Sequence, residues 1–360
     1  MSWPVERVAV RVPATSANLG PGFDALGLAL GLYDEVEVEV KRHGLAIDIS
    51  GEGADTAAAG EGNLVVRAMR AAFAAAGNQP PGLALRCLNR IPHGRGLGSS
   101  AAAIVAGVLA ARALTGGSPA GPDSESFALA TEIEGHPDNV AACLAGGLTI
   151  AWREEAGPRL VRLSPLPDVV PVACIAPDSL ATEGARRVLP ETVPHADAAA
   201  NAGRSALLVA ALTSDPANLL AATHDLLHQP YRASVMPRTA SLLRSLRAAG
   251  VPAVVSGAGP SVLVFLTGEP SAGLEVVGSI VTETGNGWLV SPLDVDRQGA
   301  RVQLGPPDAN SGNTPPTAWS GSGYGHGRPG VAAASLPTER SSPSATHGQF
   351  SREYRGLSWC

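Results

Sequence analysis

Residues 91–100 read Ile-Pro-His-Gly-Arg-Gly-Leu-Gly-Ser-Ser and run straight into an alanine-rich apolar stretch. Alternating glycines at Gly94, Gly96 and Gly98 strip the Cβ atoms from one side of a loop, so main-chain N–H groups can close on an anion. A helix expected over 99–114 adds unpaired N–H donors and the positive end of its dipole. Ser99 and Ser100 then stand where one hydroxyl can meet phosphate and the other a hard metal ion. Pro92, His93, Arg95, Leu97 and Ala101 complete the candidate phosphate-binding segment. There is no Gly-Lys-Ser/Thr ending, so this is not a Walker loop, and the spacing differs from the Gly-x-Gly-x-x-Gly of dinucleotide binding. A strand-to-helix turn that merely needs positive φ would use the same glycines, so the rest of the chain has to decide.

Composition narrows the partners. The 360-residue chain is long enough for two domains, and one continuous core is not expected at that length. A formal charge of -6 with no block of basic residues argues against nucleic acid and for a small-molecule substrate. Lysine occurs once, at Lys41, so arginine, backbone amides and a metal must hold any phosphate. Cys87, Cys143, Cys174 and Cys360 form no Cys-x-x-Cys pair and no zinc spacing, which leaves cytosolic thiols as the default. Residues 1–7 lack the regions of a signal peptide, and the apolar run at 101–114 is too short to span a bilayer. A soluble cytoplasmic protein is therefore expected.

The elements that must position the loop follow from periodicity. Strands are expected over 5–12, 83–91, 148–153, 169–176, 253–256, 262–266 and 288–295, with apolar character at 26–32. Residues 34–41, Asp-Glu-Val-Glu-Val-Glu-Val-Lys, alternate as a half-buried strand whose acids form its wet face rather than a metal site. Residues 13–22 read as a loop of small and polar residues. Helices are expected over 63–76, 99–114, 124–135, 139–144, 201–212, 217–227, 238–249 and 272–282. Without regular β-α alternation the class is α+β. A proline-rich connector near 164–170 separates a first domain, 1–165, from a second, 166–304. From 305 to 360 apolar periodicity gives way to Gly, Pro and Ser, which reads as a disordered tail.

Three blocks now join the argument. Residues 13–24, Pro-Ala-Thr-Ser-Ala-Asn-Leu-Gly-Pro-Gly-Phe-Asp, the Gly94 to Ser100 loop, and residues 256–261, Ser-Gly-Ala-Gly-Pro-Ser, resemble in order the signature motifs of the GHMP small-molecule kinases. Within that superfamily the first block, with Glu-Gly-His-Pro-Asp-Asn-Val at 134–140, Thr-Glu-Gly-Ala-Arg at 182–186 and Gln-Pro-Tyr-Arg at 229–232, is most similar to the homoserine kinase branch. The resemblance spans roughly residues 5 to 304. It implies an N-terminal ribosomal-protein-S5-domain-2-like domain and a C-terminal ferredoxin-like α/β sandwich. It also implies ATP and Mg2+, a homodimer, and phosphoryl transfer to the hydroxyl of L-homoserine, giving O-phospho-L-homoserine for threonine synthesis.

An amino-acid alcohol also makes chemical demands of its own. Its carboxylate needs cationic donors and its ammonium needs a carboxylate or amide. Arg186 and Arg232 can supply the first; Asn18, Asp24 and His136 can supply the second. The resemblance places Asn139 near the reacting hydroxyl, Thr182 in the substrate site, and Gly257 and Gly259 beside the nucleotide. It assigns the metal to Ser100 and Glu134, with Glu132 as the competing carboxylate. Arg95 stands where relatives carry a small residue, and either lies against the phosphates or points into solvent. Residues 8–13 carry no lysine, so no committed base is expected; Asp138 is the carboxylate held in reserve, and catalysis is expected from Asn139, Asp138 and Arg186 by in-line positioning. Other acceptors, shikimate or mevalonate, and a non-catalytic GHMP-like binding protein are the competing readings.

Overall fold

A computed structural model describes residues 3–305, apart from 56–57, 59, 118–122 and 286. The tail expected at 305–360 lies, from residue 306 on, outside the described residues.

The chain opens with β1 (Arg7–Ala17), β2 (Leu26–Lys41) and β3 (Gly44–Gly51), followed by α1 (Leu64–Ala75) and β4 (Gly82–Asn89). Next come α2 (Ser99–Leu114), α3 (Ser124–Glu134), α4 (Asp138–Ala145), β5 (Leu148–Glu154) and β6 (Gly157–Leu163). A second run holds β7 (Val169–Ile175), α5 (Thr182–Arg187), α6 (His195–Thr213), α7 (Leu219–Ala222), α8 (Gln229–Arg232) and α9 (Pro237–Ala248). It ends with β8 (Ala253–Val255), β9 (Val262–Thr267), α10 (Pro270–Thr284), β10 (Leu289–Pro292) and β11 (Arg301–Leu304). The strands form two sheets, one running β11-β1-β2-β4-β3 with β5 and β6 branching from β2, the other running β10-β7-β9-β8. This is the α+β class expected, and the step between sheets falls at the proline-rich connector. The last strand departs from the expected division, because β11 returns to pair with β1 in the first sheet.

The first sheet is built on β1 and β2. Their register shifts between Pro13 and Ala14, where proline cannot donate to the ladder. The shift lets Ala14 to Ala17 continue as strand, buried on both faces. The loop expected at 13–22 is thus corrected at its start: small polar residues read as loop by composition, but their size allows a strand to lie flush beneath the glycine loop. The apolar stretch at 26–32 and the acidic strand at 34–41 merge into one strand, β2. Three of its acids form the wet face, Glu35, Glu37 and Glu39 pairing with Arg90, Arg86 and Arg7 at 3.2, 3.8 and 3.3 Å, whereas Asp34 is buried. Strands β3, β6 and β11 and the short α5 and α8 went unforeseen. The helix expected at 217–227 is only the single turn of α7.

Helix α2 is apolar all round and almost wholly buried, the pattern of a helix enclosed on every side. It packs on α1, β1, α3 and α4, and this enclosure fixes where its N-terminus points. The apolar core is shared between the sheets. Val8, Val36 and Leu109 belong to the same buried cluster as Val169, Leu208, Val254 and Phe265, so one cluster spans both sheets. A smaller cluster around Leu242, Val264 and Val277 backs the second sheet.

Asn201, on the buried face of α6, ties two loops of the molecule together. Its Nδ2 donates to Pro21 O at 2.8 Å and its Oδ1 accepts from Leu226 N at 3.1 Å. At 2% exposure neither bond can be replaced by water. Asn201→Ala is expected to cost about 1–3 kcal/mol in urea unfolding, because it leaves buried backbone groups unpaired.

Candidate active site

The cradle forms where three segments meet main chain to main chain. Gly94, Gly96 and Gly98 have φ of 65, 75 and 72°, the left-handed region that costs a residue with a Cβ. Space forbids a side chain as well: a Cβ on Gly98 would overlap Thr15 Oγ1, and one on Gly96 would overlap Ser256 O. Thr15 N donates to Leu97 O at 3.0 Å, and Ser256 Oγ reaches Gly96 O at 2.6 Å and Ser16 Oγ at 2.8 Å. Gly257 N donates to Ala17 O at 3.1 Å. The end of β1, the glycine loop and the 256–261 turn are thereby locked together. Helix α2 starts directly behind Gly98 with no side chain capping it, so its first turn presents an anion-binding end.

The turn between α3 and α4 brings the acids. Gly135 closes α3 in the left-handed conformation, and Glu134, in the last turn, accepts from Ser100 Oγ at 2.6 Å. Burial pushes the Glu134 carboxyl above its usual range, and Asp138 adds to the push, while the Ser100 hydroxyl and His136 oppose it. Glu132 is exposed and makes no such bond, so of the two competing carboxylates only Glu134 reaches Ser100. Asp138, 1% exposed, accepts from Asn139 N at 2.8 Å and from His136 Nδ1 at 3.0 Å. Asn139 Oδ1 accepts from Thr15 Oγ1 at 2.8 Å. Burial draws the His136 imidazole down, but its bond to Asp138 and the charges of Asp138 and Glu134 outweigh that and raise it overall. His136 lines the hollow with its Nδ1 committed to Asp138.

Opposite the cradle stand two arginines around one phenyl ring. Asn18, Leu19 and Asp24 take φ of 66, 50 and 54°, and Asn18 Oδ1 accepts from Asp24 N at 2.9 Å, closing the loop that carries Phe23. Arg186, in α5, binds Asp24 with both terminal nitrogens at 3.2 and 2.7 Å. That bond holds its guanidinium above the usual range. The two were expected to grip opposite ends of a substrate and here neutralise each other. Arg232, in α8, is 1% exposed. Burial, reinforced by the Arg186 charge, lowers it to about 10, which leaves it a cation at neutral pH. Both guanidinium carbons lie near the Phe23 ring, at 5.8 Å for Arg186 and 5.5 Å for Arg232.

One hollow of about 280 Å³ unites these groups. Asn18, Gly94, Gly96, Gly98, Ser99 and Ser100 line it. So do Glu134, His136, Asp138, Asn139, Thr182, Arg186, Arg232 and Gly257. Asp24 lies in the adjoining mouth with Arg186. A second, more apolar cavity of about 290 Å³ shares Ser99 and Ser100 and is lined also by Asp34, Asn63 and His93. Leu97 and Ala101 are buried in the core and give only backbone to the loop. Pro92 and Gly259 do not line the hollow, and Gly259 packs against Met236.

Arg95 takes neither arrangement expected of it. Its Nε donates to Ala176 O at 2.9 Å and its Nη2 to Pro177 O at 3.1 Å, tethering the glycine loop to the exit of β7. Sequence reasoning also missed Phe23, His228 and Asp34. Asp34 accepts from Arg90 N at 2.6 Å and Ile91 N at 2.9 Å, holding the entry to the loop. Its signal was an acid at the head of an acidic strand, hidden among residues that really are solvated.

Two family models match the chain, GHMP kinases N terminal domain over residues 63–147 and GHMP kinases C terminal over residues 207–277. A homoserine kinase of Streptomyces avermitilis is 56% identical over 296 residues, covering 82% of this chain and 95% of that protein. The chain belongs to the homoserine kinase family of GHMP kinases. A homoserine kinase of Clavibacter michiganensis is 51% identical over 299 residues, 83% of this chain and 94% of that one. The crystal structure of homoserine kinase from Cytophaga hutchinsonii superposes with a TM-score of 0.73 at 28% identity, covering 84% of this chain and 99% of that one. The family's fold is thus the one seen here.

Two expectations follow. Arg95→Ala should lower thermal stability yet change the KM for ATP by less than about threefold, since its donors go to carbonyls of the chain. For Glu134 the folded pKa is raised above 4.5, so the folded state binds its proton more tightly than the unfolded chain. Stability is then lost as pH rises from 4.5 through the raised value. In metal-free urea unfolding, Glu134→Gln should accordingly fare better, relative to the parent, at neutral pH than near pH 4.5. The opposite ordering would contradict the assignment.

Proposed function

We infer that the protein transfers the γ-phosphoryl group of ATP to the side-chain hydroxyl of L-homoserine, yielding O-phospho-L-homoserine. The observation that carries this reading is a single hollow with a main-chain anion cradle at one end and buried or ion-paired arginines beside a carboxylate at the other. Neither a sugar nor mevalonate has an ammonium for Asp24, and family membership favours the amino-acid alcohol over both. Retention of the cradle, Ser100 and Glu134 argues against a non-catalytic binding protein.

In this reading the triphosphate lies along the glycine loop against the first turn of α2. The purine occupies the neighbouring apolar cavity that shares Ser99 and Ser100. Lys41 cannot assist, since it sits at the end of β2 bonded to Glu39. Ser100 Oγ and Glu134 Oε1, 2.6 Å apart at the helix start, form the hard-oxygen pair that suits magnesium on a nucleotide, an ion that keeps most of its water and needs few protein ligands. When bound there, the ion offsets the charge of the phosphates.

At the acceptor end Arg232 and Arg186 take the carboxylate, and Asp24, partly released from Arg186, takes the ammonium. Asn139, oriented by Thr15, and Asp138, through His136 and the Asn139 amide, set the rim where the hydroxyl meets the γ-phosphate. Asp138 accepts both of these bonds on Oδ1, and the role assigned to it is to position. Phosphoryl transfer is loose enough for alignment and charge to suffice. The cytoplasmic location and homodimer expected from the sequence form part of the same reading. Three free cysteines, Cys87, Cys143 and Cys174, support a reducing compartment. No helix among the described residues is long and apolar enough to cross a membrane.

A coupled ADP-release assay against homoserine, threonine, shikimate, mevalonate and galactose tests the substrate. Homoserine should be preferred, and turnover of another alcohol at equal or higher kcat/KM would overturn the assignment. Asp138→Asn keeps the acceptor oxygen and should lower kcat by less than about tenfold. A loss of about 10²- to 10⁴-fold would instead make Asp138 a general base.

A further inference from the structure

His228 lies outside the sequence motifs that suggested the site, yet its side chain is fully buried, 0% exposed, against that site's back wall. Its Nδ1 lies 3.0 Å from Arg232 Nη1 and its Nε2 lies 2.9 Å from Gly20 O. The ring stacks on Phe23, with centroids 5.2 Å apart and planes 29° apart. A guanidinium can only donate and a carbonyl can only accept. Nδ1 must therefore be the lone-pair nitrogen and Nε2 the protonated one, so its two partners select a single neutral tautomer. Asp225 Oδ2 is 3.6 Å from Nε2, but the Asp225 carboxylate already accepts from the backbone of Leu227, His228 and Gln229 at 3.0, 3.0 and 2.7 Å. Burial outweighs the Asp225 charge and, with help from Arg232, draws the imidazole down to about 4.

The remaining contacts of Arg232 are few. Its Nε donates to Ala185 O at 3.2 Å and its Nη1 also to Gly257 O at 3.2 Å. Among the described residues Nη2 has no hydrogen-bond partner, on a side chain that lines the hollow. His228 stands at the N-cap of the single-turn α8 and Arg232 is its last residue, so one turn brings the two side chains together.

We propose that His228 is a positioning residue for substrate recognition. Its Nδ1 lone pair fixes the plane of the Arg232 guanidinium so that Nη2 meets the amino-acid carboxylate, and its Nε2–H and ring face lock that plane to the loop carrying Gly20 and Phe23. The proposal rests on the reading of Arg232 as the carboxylate donor. It explains how a buried arginine, otherwise hydrogen-bonded to two chain segments that could shift independently, keeps one orientation before substrate arrives.

Two measurements test it. In His228→Leu the KM for homoserine should rise about 10- to 100-fold, the loss expected when a hydrogen bond to a charged group disappears, with the KM for ATP changed less than about twofold. His228→Asn keeps an acceptor at the δ position and should recover most of that loss. Equal rises in both KM values, or equal defects in both variants, would reduce His228 to packing. Should the leucine variant not fold, His228→Gln replaces it: this variant has no acceptor at the δ position, and a homoserine KM no higher than that of the asparagine variant overturns the proposal. Independently of any substrate, imidazole ¹⁵N spectra should show a protonated Nε2 and a bare Nδ1, unchanged from about pH 5.5 to about pH 8. A protonated Nδ1, or titration within that range, would refute the arrangement. Wild-type protein with the expected tautomer but no homoserine turnover would overturn the functional reading and leave the positioning intact.

Discussion

The site depends on one steric constraint: the main chains of β1, the glycine loop and the 256–261 turn occupy space that side chains would need. A Cβ at Gly98 would displace Thr15 Oγ1, and one at Gly96 would displace Ser256 O. Because the segments touch through backbone and small hydroxyls, they leave open a volume that side chains would otherwise fill. Helix α2 completes that volume only because it is buried all round and cannot pivot. The fold's investment in an unusually apolar helix is thus also what aims its dipole.

The acceptor end is organised by a different force. Two guanidinium groups near one another repel, and burial of Arg232 makes its charge costly. The structure offsets this in three ways. Asp24 pairs with Arg186, the Phe23 ring presents a π face to both cations, and Arg232 spends its inner donors on carbonyls and on a neutral imidazole. What is left over is directional: one cation with a free donor and one ion pair able to open. An amino acid matches that arrangement because it brings both a carboxylate and an ammonium, so that binding it need leave no buried charge unpaired.

The part of the site legible in the sequence was the part made of backbone. Glycines at fixed spacing, and a helix with a strong apolar pattern, declare themselves locally, and α2 begins and ends where periodicity places it. Side-chain roles were less legible because they depend on partners far along the chain. Arg95 was open by position to the phosphates or to solvent, but two of its acceptors are carbonyls more than 80 residues away. The strand character of Thr15 to Ala17 was hidden for a related reason. Small residues avoid strands in general, and here they are used because another backbone must pass close by. The shared core was illegible too, since nothing local says that β9 and β1 will bury residues in one cluster.

Burial of Arg232 also bears on the proposed transfer by positioning. A positioning mechanism demands that both reactants be held within a few tenths of an ångström of the productive line. Exposed arginines on flexible stems cannot meet that demand, whereas Arg232 is enclosed and bonded at two of its three nitrogens. The cradle meets it at the other end with main chain, which has no rotamers to sample. Asp138 fits the same logic: its Oδ1 holds both the Asn139 amide and the His136 imidazole, which stiffens the rim between the two ends. Rigidity at the nucleotide, at the carboxylate and at the rim is therefore one requirement met in three ways, and a site that meets it has already provided most of what a loose transition state needs.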